Sequence, residues 1–226
     1  MHPSLKALYH AMRRPLEVRR RIRGRDNVVS LGRGILRRVR VDIEGDGNTV
    51  RFEDGTIIEG LFIRIRGDGH RLTVGRGTYM HETRIFFEDR AGCIAIGRDA
   101  WLNDSSVSSV EGCPVEIGRG CLIAEETDIR TSDSHSIIEA DSGRRINPPG
   151  AVRIGEYVWI GKGAAVLKGV RIGSGSIIGM RSLVTRDIPE RCVSAGTPAR
   201  VLRQGVTWDW EKLPVDADPK VPGDGA

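Results

Sequence analysis

Large rings are scarce: Phe, Trp and Tyr supply 5% of the 226 residues, 11 side chains in all. That is lean for an ordinary α/β enzyme core. No run of 18 apolar residues occurs, which excludes a transmembrane helix by hydropathy. No apolar stretch follows the first residues, so a secretory signal is not expected. Cys93, Cys113, Cys121 and Cys192 form no C-x-x-C pair and no zinc spacing. They read as free, partly buried thiols of a reducing compartment. Neither G-x-x-x-x-G-K nor a Rossmann-type G-x-G-x-x-G is present, so no nucleotide P-loop or dinucleotide fold is indicated. Charge of one sign does not dominate: 35 Lys+Arg face 30 Asp+Glu, for a net +5 and a pI of about 9.3. This balance suits a polyanionic ligand, an anionic membrane face, or nothing specific. The length fits one domain, or one with tails.

What the chain has in excess is glycine, 29 residues, and it recurs at a fixed spacing. From Ile154 the sequence reads in sixes: blocks open at Ile154, Ile160, Val166, Ile172, Ile178 and Val184. Gly follows the opening aliphatic in four of the six, and a small or β-branched residue holds every fifth place. Such a period is the mark of a solenoid. Each block makes one short strand and one corner. The opening aliphatic and the fifth residue point inward. The residue after the aliphatic is expected at a crowded corner, where Gly tolerates unusual backbone angles. Three blocks close one coil, and coils stack as parallel strands. The spacing therefore predicts Ile154 over Ile172, Ile160 over Ile178, and Val166 over Val184.

The register continues backward through Ile117, Ile96, Val74 and Phe52. These coils are longer than 18 residues, with turn-rich insertions at one corner: Gly67-Asp-Gly, Asp89-Arg-Ala-Gly and Glu111-Gly-Cys-Pro. Between Ile129 and Ile154 the pattern dissolves into a polar stretch carrying Asp133, His135, Asn147 and two prolines. Such a stretch must leave the prism as an excursion, and excursions from rigid scaffolds are common sites of function. Asn147 either orients a ligand, contacts the His135 loop, or serves turn chemistry before the prolines.

The repeats, the loop histidine upstream of Val158-Trp-Ile-Gly161, and the closing run Val184-Thr-Arg-Asp-Ile-Pro189 with Ala195-Gly-Thr-Pro-Ala-Arg-Val-Leu-Arg203 resemble the hexapeptide-repeat acyltransferases. The resemblance covers roughly residues 45–205. It is closest to sugar and polysaccharide O-acetyltransferases. It implies an all-β solenoid, a left-handed parallel β-helix over 28–205 with its active-site loop at 130–150. A helical, basic N-terminal arm (1–27) and a C-terminal tail (206–226) complete the domain reading.

The same resemblance implies acetyl-CoA as donor, no metal, a sugar or polysaccharide acceptor, and a homotrimer with sites between subunits. It makes His135 the general base. A neutral imidazole, with an ordinary pKa near 6.5, suits removal of a proton from a sugar hydroxyl. Asp133 is the nearest sequence candidate to hold the ring's tautomer. Lys162, Met180, Thr185, Arg186, Thr197, Arg200 and Arg203 are implied around coenzyme A, whose phosphates suit guanidinium groups. Trp159 and Asn147 are implied at the acceptor. Where Lys is usual in the family, Arg186 stands here.

Other readings on the same scaffold are antibiotic acetylation, amino-sugar N-acetylation and a non-catalytic scaffold. A γ-type carbonic anhydrase is disfavoured, because His70, His81 and His135 lack its paired His-x4-His spacing. Residues 4–23 carry Leu5, Leu8, Tyr9, Met12 and Leu16 on one helical face, followed by the basic run Arg19–Arg25. This arm is expected to cap the solenoid, with contact to an anionic membrane as the sharper alternative. Aromatics are not interleaved with these basic residues, so nucleic acid is not expected as a partner. A cytoplasmic location, at or near the inner membrane face, is the accompanying expectation.

Overall fold

The structure is a computed structural model and describes residues 17–212 and 214. Among the described residues every regular element is a strand. The chain winds as a left-handed parallel β-helix of triangular section. The first face stacks Val28–Ser30, Thr49–Phe52, Arg71–Val74, Cys93–Ile96, Val115–Ile117, Val152–Ile154 and Arg171–Ile172. The second starts with the first halves of Ile35–Glu44, Ile57–Arg66 and Tyr79–Phe87. It continues through Trp101–Asn103, Leu122–Ile123, Trp159–Ile160, Ile177–Ile178 and Cys192–Gly196. Val18–Arg23, the second halves of the same three long strands, Ser106–Ser109, Asp128–Arg130, Ala165–Val166 and Leu183–Val184 make the third. Antiparallel Ala199–Gln204 closes the second face.

The aliphatic stacks fall where the spacing puts them. Ile154 pairs with Ile172, Ile160 with Ile178, and Val166 with Val184. Phe52, Val74, Ile96, Ile117 and Ile154 form one continuous column on the first face. Fifth-place residues Val158, Ala164, Val170, Ser176, Ser182 and Ile188 are all buried. Each fully buried Val or Ile contributes about 1.5–3 kcal/mol of transfer free energy, so a column of this length is the main cohesive term.

Two expectations change. The first concerns the glycine after each aliphatic. At Gly97 a Cβ would meet Arg119 N at 2.6 Å and Gly118 C at 2.7 Å, with no left-handed φ. The next coil's backbone demands Gly there, not the backbone angle. The left-handed position comes two residues later, as at Asp99 with φ 58°. The second concerns the N-terminal arm. Residues 1–16, which hold most of the helix reading, lie outside the described residues. The basic run from Arg19 belongs instead to the strand Val18–Arg23, paired in parallel with Val39–Glu44. Val18, Arg20 and Ile22 stand in register with Val39, Val41 and Ile43. The prism therefore opens before residue 27. Arg20, standing in the inward register, hid this period of two.

At the other end, residues 206–212 fold back along the outside of the solenoid. Val206 N donates to Arg191 O at 3.0 Å, and Trp208 Nε1 donates to Tyr157 O at 2.6 Å. Residues 213 and 215–226 of the C-terminal tail lie outside those described.

Candidate active site

The excursion leaves after Asp128–Arg130, at the corner between the third and first faces, and returns at Val152–Ile154. It is a hairpin. Ile138 bridges Arg145, Glu139 N donates to Arg144 O at 2.9 Å, and Ile146 N donates to Ile137 O at 2.9 Å. Its base is tied to the preceding coil and closed upon itself. Val110 N donates to Thr131 Oγ1 at 2.9 Å, and Gly150 N donates to Thr131 O at 2.9 Å.

Asn147 organises the base of the hairpin. Its Nδ2 donates to Asp133 Oδ2 and to the carbonyl of His135, both at 2.8 Å. Its Oδ1 accepts from Ile137 N at 2.7 Å and Arg145 Nε at 3.2 Å. These four bonds use both amide hydrogens and both lone pairs, and the residue is 7% exposed. Nothing is left for a sugar, so the acceptor-contact reading of Asn147 gives way to its alternative, contact with the His135 loop.

The neighbouring coils clamp this knot from both sides. Glu111, one coil earlier, accepts from Arg145 Nη1 at 2.5 Å and Nη2 at 2.8 Å, and from Ser132 Oγ at 2.5 Å. The hydrogen bond from Arg145, then that from Ser132, holds the Glu111 carboxyl down at about 2. Lys168, one coil later, donates to Asp133 Oδ2. That bond, then the one from Asn147, lowers the Asp133 pKa. Asp133 is thus ionised and committed. It reaches His135 through Asn147 and the histidine's backbone, not through the ring as the sequence reading had it. Among the described residues, no hydrogen bond or ion pair within the chain engages the His135 imidazole, which is exposed. It is an imidazole held through its backbone, with neither ring nitrogen engaged by the described chain.

Lys168, Glu111, Arg145 and Ser132 were not singled out from the sequence. The signal that would find them is stacking: the corner residues one coil before and after an excursion must lie against it.

The other sequence-predicted residues lie on two corners. Thr185 and Arg186 follow Leu183–Val184 and are exposed at His135's own corner, beyond Lys168. Lys162, Met180 and Thr197 stack along the corner between the second and third faces. Arg181 N donates to Lys162 O at 2.8 Å, and Thr197 Oγ1 reaches Arg181 O at 3.5 Å. Lys162 Nζ lies 2.9 Å from Glu126 Oε1, and Met180 is 63% exposed. Arg200 and Arg203 are exposed on the closing strand, opposite Ala195 and Val193. Trp159 projects from the second face, one residue before that corner's coil turn, with its ring 6.1 Å from Trp208. Within one subunit, then, the structure does not bring Trp159, Lys162 or Met180 to His135. Between the two corners runs the third face, whose outward Ala165, Leu167 and Leu183 are small or apolar and half-buried.

His70 and Cys121 belong to the packed interior. His70 is buried: Gly92 N donates to its Nδ1 at 3.0 Å, leaving the proton on Nε2, 3.3 Å from Arg66 O. Burial lowers its pKa. The four cysteines are free, and burial pushes the Cys121 thiol up to about 12. Among the described residues no group of three or more His, Cys, Asp or Glu could hold a metal ion.

Comparison with known proteins agrees with the fold. Residues 151–186 match the family model described as bacterial transferase hexapeptide (six repeats). The polysialic acid O-acetyltransferase of Escherichia coli O1:K1 is 31% identical over 115 residues, 51% of this chain and 38% of that protein. The chain thus spans well under half of that relative's length. A protein of Escherichia coli K12, provisionally named an O-acetyl transferase of lipopolysaccharide biosynthesis, is 35% identical over 158 residues, 65% of this chain and 72% of its own. The crystal structure of the polySia-specific acetyltransferase NeuO superimposes with a TM-score of 0.77 at 29% identity, covering 90% of this chain and 91% of that one. The chain belongs to the hexapeptide-repeat acyltransferase family.

Proposed function

We propose that the protein transfers an acetyl group from acetyl-CoA to a hydroxyl of a glycan, with His135 as general base. The observation that carries this reading is the open imidazole on a hairpin clamped by Glu111 and Lys168. The step is direct. The acceptor oxygen attacks the thioester carbonyl carbon as its proton passes to a ring nitrogen of His135. The tetrahedral adduct collapses, the carbon–sulfur bond breaks, and the imidazolium returns the proton to the leaving thiolate. Base catalysis of this kind supplies about 10²–10⁴ in rate. No acyl-enzyme is needed. Cys121, buried and with its thiol pushed up to about 12, is unsuited to form one near neutral pH.

The donor lies on the third face, between the corner of Lys162, Met180 and Thr197 and the corner of Thr185 and Arg186. Arg200 and Arg203 reach its phosphates. Trp159 sits on a different corner from His135, so a second copy of the chain completes the site, in a trimer. The names of the similar proteins support a polysaccharide acceptor, and the donor's chemistry supports a cytoplasmic reaction. The test is product analysis. Purified protein is incubated with acetyl-CoA and polysialic acid or lipopolysaccharide glycan, and the glycan is examined by mass spectrometry. Ester-linked acetyl groups on the glycan support the reading. Free thiol without an acetylated glycan overturns the acceptor, and no consumption of acetyl-CoA with either glycan overturns the transferase.

A further inference from the structure

Phe52 and Phe87 are in the core, but the tryptophans are not. The chain has four tryptophans, and none is among the buried core residues. All four line one strip on the outside of the second face. Tyr79 lies 4.0 Å from Trp101, Trp101 5.7 Å from Trp210, Trp210 5.2 Å from Trp208, and Trp208 6.1 Å from Trp159. Part of this strip pins residues 206–212 to the solenoid. The pinning does not use up the ring surface: Trp210 remains 38% exposed and Tyr157 48% exposed. Between the pinned segment and the corner of Tyr157, Ser174 and Arg191 is a cleft of about 420 Å³. That volume lies within the range of small-molecule sites.

The walls of the cleft are fixed. The Trp208 indole N–H is spent on the Tyr157 carbonyl at 2.6 Å, which sets the plane of the ring. The Arg119 guanidinium lies 5.3 Å over the Tyr157 ring, and its Nε donates to Glu156 Oε2 at 2.8 Å. Ring faces therefore alternate with planar polar groups that keep spare hydrogen-bonding capacity. Arginines (Arg119, Arg191) and carboxylates (Glu156, Glu190, Asp209) both line it, so no excess of positive charge favours a phosphorylated ligand such as coenzyme A. A pyranose has the complementary surface, with apolar C–H patches for ring faces and hydroxyls for fork donors and carboxylate acceptors.

We propose that this cleft, between the C-terminal segment and the corner of Tyr157 and Arg191, binds a short segment of uncharged pyranose oligosaccharide. It lies at the corner between the first and second faces. His135 lies at the corner between the third and first. The cleft is therefore a holding site for a glycan, separate from the point of transfer. Its link to acetylation rests on the transferase reading; the binding itself does not.

Trp208 and Trp210 line the cleft, so tryptophan emission responds to its occupation. The intact protein is titrated with maltohexaose and cellohexaose, and separately with acetyl-CoA and a sialic acid hexamer. A saturable change in emission is expected with at least one neutral hexasaccharide. It should persist in His135→Ala and weaken about tenfold or more in Arg191→Ala, the usual worth of a hydrogen bond to a charged group. Tyr157→Ala should weaken it too, with a thermal melt confirming that both variants fold. No saturable change with either neutral sugar overturns the proposal. So does a change that Arg191→Ala and Tyr157→Ala both leave intact, or one given only by the sialic acid hexamer or acetyl-CoA. Acetyl transfer measured in parallel separates the two readings: loss of transfer with sugar binding retained removes the transferase and leaves the cleft.

Discussion

The two ends of the solenoid solve the same packing problem with different corners. From Ile154 onward, successive inward aliphatics are six residues apart at every corner: Ile154, Ile160, Val166, Ile172. In the earlier coils the column runs Val74, Met80, Ile85, Ile96, with steps of six, five and eleven. The corner between the second and third faces is one residue shorter there. A single left-handed residue (Gly60 with φ 80°, Glu82 with φ 47°) turns a continuous strand through it. The corner between the third and first faces is five residues longer. The inward columns tolerate none of this variation; the second-to-third corner absorbs one residue of it and the third-to-first corner the rest. Its longest version, from Ile129 to Ile154, is the hairpin that carries His135. Function has grown at the corner where length is free.

Changes of length should separate the two regimes most strongly. A glycine inserted after Lys162 pushes Val166 out of line with Val184 and should abolish a cooperative melt, since a one-residue slip reverses inside and outside. A glycine inserted after Gly69, whose added Cβ would meet nothing within 4 Å, should move Tm by no more than about 4 °C, the equivalent of roughly 1 kcal/mol in a chain of this size. Circular dichroism melts decide it, and equal effects would refute the comparison.

Side-chain truncation comes next. Ile160→Ala, in the strict column, should cost about 2–5 kcal/mol in denaturant unfolding. Ile137→Ala, on the hairpin and 54% exposed, should stay within about 0.5 kcal/mol. The glycines give a smaller contrast. Gly97→Ala forces a Cβ against backbone at 2.6 Å and should cost about 1–3 kcal/mol. Gly69→Ala meets only its left-handed φ of 69° and should cost roughly 1 kcal/mol.

The smallest effect is electrostatic and local. The Glu111 carboxyl sits at about 2 against an ordinary 4.5. A depressed acid stabilises the fold above its unfolded value and loses that contribution as pH falls through the folded one. The hairpin clamp should therefore weaken between pH about 4.5 and 2, seen as faster amide exchange at Ile137 and Ile146. His70 adds a second window. Its pKa is lowered by burial, so the unfolded chain takes the proton first, and stability falls as pH drops below the ordinary 6.5. Glu111→Gln should remove the acid-side change in the hairpin and leave the His70 window in place.

How much of this was legible follows from the same contrast. The strict coils could be read residue by residue, because close packing fixes both spacing and size. The longer coils were legible in their aliphatic column and in their insertions. Their shortened corner was not, because one left-handed residue leaves no compositional mark when it is Glu82 or Asp104. The opening strand is not legible because Arg20 stands between Val18 and Ile22 in the inward register and breaks the apolar alternation. In the site, the motif pointed to His135, but the partners of Asp133 and Asn147 lie one coil away on either side. Lys168 is 35 residues from Asp133, and Glu111 is 34 from Arg145. Nothing local in the sequence ties them together.

Under the proposed function the clamped hairpin presents His135 as the base for acetyl transfer. The most direct test is single-turnover transfer at saturating acetyl-CoA, with calorimetric binding of acetyl-CoA, in the wild type, His135→Ala and Asn147→Ala. His135→Ala should bind acetyl-CoA as the wild type does and transfer about 10²–10⁴ more slowly. Asn147→Ala should lose on the order of tenfold to a hundredfold through misplacement of the ring. Transfer by His135→Ala at the wild-type rate would contradict it.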